Sequence, residues 1–357
     1  MKINENTTAP IGDLATKIMN LQREDYAVPA KQVLVSGNNI ALGRQGETYD
    51  FKLTEHAHSQ LAGRWNGLNT FRRHAQDTDL YPVYERTVND ALELDEKKLT
   101  VRTMQPNGER VARAVVSDKF KPIDDDLLVP EVLDVVGDHA DKWRALGGQV
   151  TDTNTYIRFI TRTPDFKFGE REVHVGFQYS NSEVGAGSTR FSMFLFDSFC
   201  ENGCVFGNMV LQDVKWQHRG SAISTDFGRI FEDRMKMAEI VNIKGAIRDA
   251  SALVAKGRHD ETVRNYLEAA WSREIPDGVK ASEFLKNVGD RVNLTKSEQE
   301  ELLVHYDGTA NQYGVQAAVT KLAQHVPTYT DRVRLETAGG AIMSLNDRDW
   351  KSIAALS

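Results

Sequence analysis

The feature that most constrains this chain is a change of hydrophobic period at about residue 224. Before it, short β-branched and aromatic runs are cut by Gly, Pro and Asn. From Phe227 through Ile230, Phe231, Met235, Ala238 and Val241 the apolar spacing becomes helical, and it continues with breaks to the C-terminus. The two periods demand different architectures. The expectation is therefore an α+β chain: an α+β domain with an antiparallel sheet and hairpins over residues 1–223, then an all-helical region over 224–357. The 357 residues, 40% hydrophobic and 27% charged, hold ample material for a core and exclude wholesale disorder.

Local signals place the elements. Ile11, Leu14, Ala15, Ile18 and Leu21 recur at helical spacing, and Val33 to Val35 with Ile40 to Leu42 bracket a Gly37-Asn38-Asn39 turn. Thr54 reads as the N-cap of a helix running to Trp65, after which periodicity fades as far as Tyr84. The clearest hairpin joins Leu99 to Met104 and Glu109 to Val116 through Gln105-Pro106-Asn107-Gly108. Asp124 to Asp126 read as helix-capping anions before Leu127 to Val136, and Gly147-Gly148 closes that region. Strands are expected over Tyr156 to Arg162, Glu172 to Tyr179, Arg190 to Phe196 and Val214 to His218. In the second of these, Val173, Val175, Phe177 and Tyr179 share the face expected to be buried. Asn202-Gly203 reads as a structural turn, and Thr295-Lys296-Ser297-Glu298 as a capping box.

Several function classes are excluded or disfavoured. There is no phosphate-binding Gly-x4-Gly-Lys or Gly-x-Gly-x2-Gly motif, no nucleophile elbow, and no cofactor signature, so no catalytic residue is assigned. Cys200 and Cys204 with His218 are too few for structural zinc, and His56 and His58, two apart on a helix, point in different directions. Gly185-Ala186-Gly187-Ser188 lies between two strands and reads as a hairpin connection. The polar start, the lack of a long apolar run and the two cysteines suggest a cytoplasmic protein with no membrane span.

A strand ending in Cys200-Glu201-Asn202-Gly203 resembles a phage/plasmid-like family of unknown function. Ala114-Val115-Val116-Ser117-Asp118-Lys119-Phe120 with Pro122-Ile123-Asp124, and Asn311-Gln312-Tyr313-Gly314 leading to Ala318-Val319-Thr320, are similar to further patterns of that family. The resemblance implies a mobile element, a phage, prophage or conjugative plasmid, and attaches no reaction.

Net charge is -7, which opposes a globally basic nucleic-acid binder, yet Lys97 to Lys121 carries seven cations against two acids. Cations also interleave with aromatics from Arg64 to His74, the pattern that single-strand binding uses for phosphate attraction and base stacking. The leading expectation is a mobile-element accessory protein that binds single-stranded DNA, with strand annealing in recombination or replication as the activity it would serve. Arg72, Arg73, Arg102, Arg113, Arg158 and Arg162 are the phosphate contacts in that reading, with Trp65 and Tyr156 stacking on bases. The alternative is a protein-binding counter-defence or host-modulating factor that engages a host or phage protein. A homo-oligomer could form through Phe227, Phe231, Met235 and Met237.

Overall fold

The computed structural model describes residues 10–44, 47–168, 171–197, 202–205, 214–216, 241–242, 244–245, 248–249 and 260–354. It is an α+β protein with two antiparallel-rich sheets in its N-terminal and central parts and helices in its C-terminal region.

The N-terminal sheet has six strands in the order β1-β5-β6-β4-β3-β2, formed by β1 (Arg23–Pro29), β2 (Val33–Ser36), β3 (Asn39–Arg44), β4 (Glu47–Leu53), β5 (Lys98–Met104) and β6 (Val111–Ser117). The two hairpins read from the sequence are present. Val35 faces Ile40 across the β2–β3 turn, where Gly37 takes φ +56, and Leu99 faces Ser117 across β5–β6. One pair, β4 with β6, is parallel. Three helices follow β4 and cover one face: α2 (Glu55–Ala62), α3 (Leu68–Ala75) and α4 (Tyr81–Leu94). Thr54 caps α2, accepting a hydrogen bond from the Ala57 N–H. The region where periodicity faded holds α3 and the start of α4. Pro82 in its first turn suits a helix start, and Tyr84, Val88 and Leu92, four apart, are buried with Phe51, Leu53 and Val101.

The central sheet runs β12-β11-β10-β8-β7, from β7 (Trp143–Val150), β8 (Thr155–Thr161), β10 (Arg171–Asn181), β11 (Thr189–Asp197) and β12 (Asn202–Val205). The short strands β9 (Phe166–Phe168) and β13 (Val214–Trp216) pair with β10 and β11. Ile157, Phe159, Val175, Phe177 and Tyr179 share a core with Ile18 of α1 (Ile11–Asn20) and with Leu128, Val132 and Val135 of α5 (Asp125–Gly137). The opposite face is buried as well, His174 and Gln178 included.

Two expectations change here. Gly147 and Gly148 lie within β7 instead of ending a region, because a Cβ on Gly148 would come within 2.2 Å of the Tyr156 carbonyl oxygen, so only glycine lets β7 and β8 approach. Asn202 and Gly203 open β12, paired with Asp197 and Phe196, instead of forming the turn.

The C-terminal helices are α6 (Asp260–Ser272), α7 (Ala281–Arg291), α8 (Lys296–His305), α9 (Gln312–Leu322), α10 (Tyr329–Met343) and α11 (Asp347–Ala354). Thr295 and Glu298 make the reciprocal capping box at the start of α8. Phe284, Leu302, Val319, Leu335 and Trp350 form a core of their own, while Val263, Leu267, Tyr313 and Met343 join that of the central sheet. The helical run Phe227 to Met237, with the self-assembly surface expected there, lies outside the described residues, as do Cys200 and His218.

Candidate functional site

Five of the eight residues expected to contact nucleic acid are interior residues engaged by the protein itself. Arg72 is 2% exposed and donates to Glu55, Ser59 and Asn69. Arg102 is 1% exposed and forks onto Asp25 at 3.1 Å and Asp124 at 2.8 Å, with a further bond to the Glu183 carbonyl. Arg113 pairs with the Glu183 carboxylate. Arg158, 1% exposed, donates to Glu336 at 3.0 Å and Gln178 at 2.7 Å and lies over the Tyr329 ring. Tyr156 is buried with its ring 5.2 Å from that of Tyr329. A phosphate could reach these guanidiniums only by displacing a partner carboxylate, and at Arg113 and Arg158 that would leave Glu183 or Glu336 buried and unpaired.

The other three are accessible and far from forming one track. Arg73 is exposed on α3, and Arg162, exposed beyond β8, donates to the Ala140 carbonyl at 2.7 Å. Trp65 is half-buried in the α2–α3 connection, packed against the N-terminal core.

Trp65 has new company. It lines an open groove of about 620 Å³ at the end of β5 and β6, together with Arg64, Leu94, Lys97, Lys98 and Asp118. The groove joins the Arg-aromatic segment to the start of the basic segment, two features separated in the chain that the hairpin and α4 bring together. The Arg64 guanidinium stands 6.0 Å from the Trp65 ring centre and binds Asp95 at 3.0 Å. Burial pushes the Asp95 carboxyl up, but the Lys97 N–H and Arg64 outweigh it and leave its pKa lowered. Asp95 therefore remains an anion that matches Arg64. Lys97 and Lys98 are exposed and make no ion pair among the described residues.

A second polar cluster joins the two sheets. Glu183, at the tip of the β10–β11 hairpin, accepts from Arg23, Arg113 and the Asp125 N–H at 2.7 Å. Burial would raise its pKa, yet Arg113 and Arg23 hold it down at about 2. Asp125 is buried and accepts from Thr155, Tyr179 and Asn181. Its burial, reinforced by the Glu183 charge, pushes it up to about 6. The hairpin is also docked by the Val184 carbonyl, which Gln60 approaches at 2.8 Å and His56 at 3.1 Å. The acidic run Asp124 to Asp126 thus serves this junction. Asp124 occupies the N-cap position of α5 but makes no side-chain cap bond, because its carboxylate is taken by Arg102.

The sequence reading missed the partners, Glu55, Glu183 and Glu336. One signal was available: Arg102, Arg113 and Arg158 each sit between apolar or small neighbours within a strand, as in Ile157-Arg158-Phe159, where a cation flanked by core positions needs an internal anion. His58, whose ring meets the Tyr84 hydroxyl at 2.9 Å, points away from His56, as their spacing implied. Among the described residues no group of three or more His, Cys, Asp or Glu could hold a metal ion, and no helix is long and apolar enough to cross a membrane. No family model, no curated protein and no solved structure matches the chain.

Proposed function

We propose that this chain is an accessory protein of a mobile element that binds single-stranded nucleic acid, with the Trp65 groove as its contact surface. The observation that carries the reading is the juxtaposition of an aromatic ring with two exposed lysines that have no ion-pair partner among the described residues. A base can stack on the accessible part of Trp65 while Lys97 and Lys98 meet the flanking phosphates. The ring is held by the core behind it, so little side-chain freedom is lost on binding. Mobile-element context comes from the resemblance around Ala114 to Asp124 and Asn311 to Thr320. The groove's small excess of positive charge, three cations against Asp95 and Asp118, favours weak binding with little base preference.

The test is fluorescence anisotropy of a labelled single-stranded oligonucleotide, and of its duplex, across a salt series. Single strands should bind better. The double substitution K97A/K98A should lower the magnitude of the log–log salt slope by about 1.4, two single-strand phosphate contacts at about 0.7 each. Trp65→Leu, which keeps an apolar plug in the core, should weaken binding by about 1–3 kcal/mol through lost stacking. Absence of binding at low salt, or a slope unmoved by the lysine substitutions, removes the reading and returns the protein-binding alternative.

A further inference from the structure

Where the two sheets meet, the end of α1, the start of β1, the strands β5 and β6 and the β7–β8 loop enclose a cavity of about 230 Å³. Its most unusual wall is Arg113. The side chain is 5% exposed, and its Nη1 is paired with Glu183. Its Nε and Nη2, the two nitrogens along one edge of the guanidinium plane, have no hydrogen-bond partner among the described residues. The neighbouring guanidiniums are treated differently. Arg23 spends its groups on Glu183 and on the Ile18 and Leu21 carbonyls, and Arg102 on Asp25, Asp124 and the Glu183 carbonyl. A buried N–H left unmade is costly, and this unpaired edge, beside the cavity but shielded from water, is the donor pair that matches two oxygens of a carboxylate or phosphate.

The rest of the lining fits the body of such a ligand. Ile18, Leu21, Val150 and Val184 supply apolar wall, with Thr151 and Thr153 among the polar groups of the β7–β8 loop. Lys17, exposed on α1, stands at the rim. At about 30 Å³ per water, the volume is that of roughly eight waters, enough for a short-chain organic anion. Lys17, Arg23 and Arg113 stand with Asp125, Asp152 and Glu183 in the lining, so the formal charges around the cavity balance.

We propose that this cavity binds a small organic anion, two of its oxygens bridging Arg113 Nε and Nη2 and its apolar body lying against Ile18, Leu21 and Val150. Both nitrogens are shielded from bulk water, so entry shifts part of the wall, and Met104, an unbranched side chain lining the cavity, can supply that shift. The site is separate from the Trp65 groove and does not depend on nucleic-acid binding.

The experiment is isothermal titration calorimetry of the full chain with hexanoate, inorganic phosphate and, as a neutral control, hexanol. Hexanoate should bind and hexanol should not. Arg113→Lys keeps a cation facing Glu183 but loses the two-nitrogen edge, and should weaken hexanoate at least tenfold. Val150→Phe, which fills the cavity and leaves Arg113 untouched, should abolish binding, and it carries the test if the lysine variant does not fold. Phosphate binding that is lost in Arg113→Lys, with hexanoate silent, supports the anion site and assigns its head group to phosphate. No heat from either anion, or hexanoate binding unchanged in both variants, overturns the proposal.

Discussion

The two sheets solve the burial problem in different ways. In the N-terminal sheet, the β2–β4 side is one-faced: Val33, Val35, Ile40, Leu42 and Phe51 turn toward α2–α4, while Leu34, Ser36, Thr48 and Asp50 turn to solvent. The middle of the central sheet is buried on both faces, and every residue of β8 is interior. A two-faced sheet leaves no solvent side for polar residues, so Arg158, Gln178 and His174 must find partners inside. Glu336, reaching down from α10, serves Arg158, whereas the exposed side chains of the β2–β4 face need nothing. Burial of the second face thus ties the C-terminal helices to the central sheet by charge as well as by apolar packing.

The largest effect should come from breaking that tie. Arg158→Ala leaves Glu336 buried without its main partner and should destabilise the protein by about 3–5 kcal/mol in urea unfolding. The double substitution Arg158→Met with Glu336→Leu removes both charges and should recover most of the loss, since a buried pair is often no better than a well-packed apolar one. By contrast, Asp50→Ala on the solvent face of β4 should stay within about 0.5 kcal/mol of the parent. A loss below about 1 kcal/mol for Arg158→Ala would mean that water reaches this face, and the contrast between the sheets would collapse.

The next difference is in sign and is read with pH. In the N-terminal unit, burial, aided by Arg72, pushes His58 down to about 4. The unfolded chain therefore binds more protons between about pH 4 and 6.5, and this contribution to stability is complete above 6.5 and lost as pH falls toward 4. Asp125, beside the central sheet, does the reverse. Raised to about 6, it keeps its proton longer when folded, so its ionisation destabilises the fold as pH rises through that window. Each is worth on the order of 3 kcal/mol, and the two oppose one another between about pH 4 and 6. Asp125→Asn should leave unfolding midpoints rising more steeply with pH over this range than in the parent, and His58→Gln should leave them flatter or falling. Parallel profiles for the two variants would show that neither group carries its assigned linkage.

How much of this was legible follows the same division. One-faced strands announce themselves by alternation, and β2 and β3 were found with their turn, while the β5–β6 hairpin, buried on both faces over much of its length, was found from its Asn-Gly turn. The strands β8, β10 and β11 were found from their β-branched and aromatic content, yet the alternation of β10 implied one buried face where there are two. Nothing within residues 171–181 records that α10 covers the other. The strand β1 escaped because only Tyr26 and Val28 are buried among charged neighbours, and β7 because its paired glycines, there for close approach, read as a break. The site was harder still. Arginine near aromatics has the same local pattern whether it faces a phosphate or an internal carboxylate, and the carboxylate can lie far off in sequence, as Glu336 lies 178 residues from Arg158. Trp65 with Lys97 and Lys98 illustrates the converse: each half of the groove was visible, but only the return of the chain through α3 and α4 unites them.

The smallest effects test the packing contrast at single atoms. Gly176, in β10, has no room for a side chain: a Cβ there would lie 2.0 Å from the Phe159 carbonyl oxygen and 3.0 Å from the Ile160 Cα, both backbone atoms of the neighbouring strand. Gly176→Ala must therefore part β10 from β8, at a cost of about 1–3 kcal/mol. Gly37, in the β2–β3 turn, has nothing within 4 Å of the same added atom, and its cost arises from φ +56 alone. Gly37→Ala should cost about 1 kcal/mol, and Gly37→Asn less, because asparagine tolerates the left-handed region that alanine resists. That rescue is the distinguishing result. Asparagine at position 176 is larger than alanine and should be worse there, so an order Gly > Asn > Ala at 37 and Gly > Ala > Asn at 176 separates a conformational demand in the one-faced sheet from a steric one in the two-faced sheet.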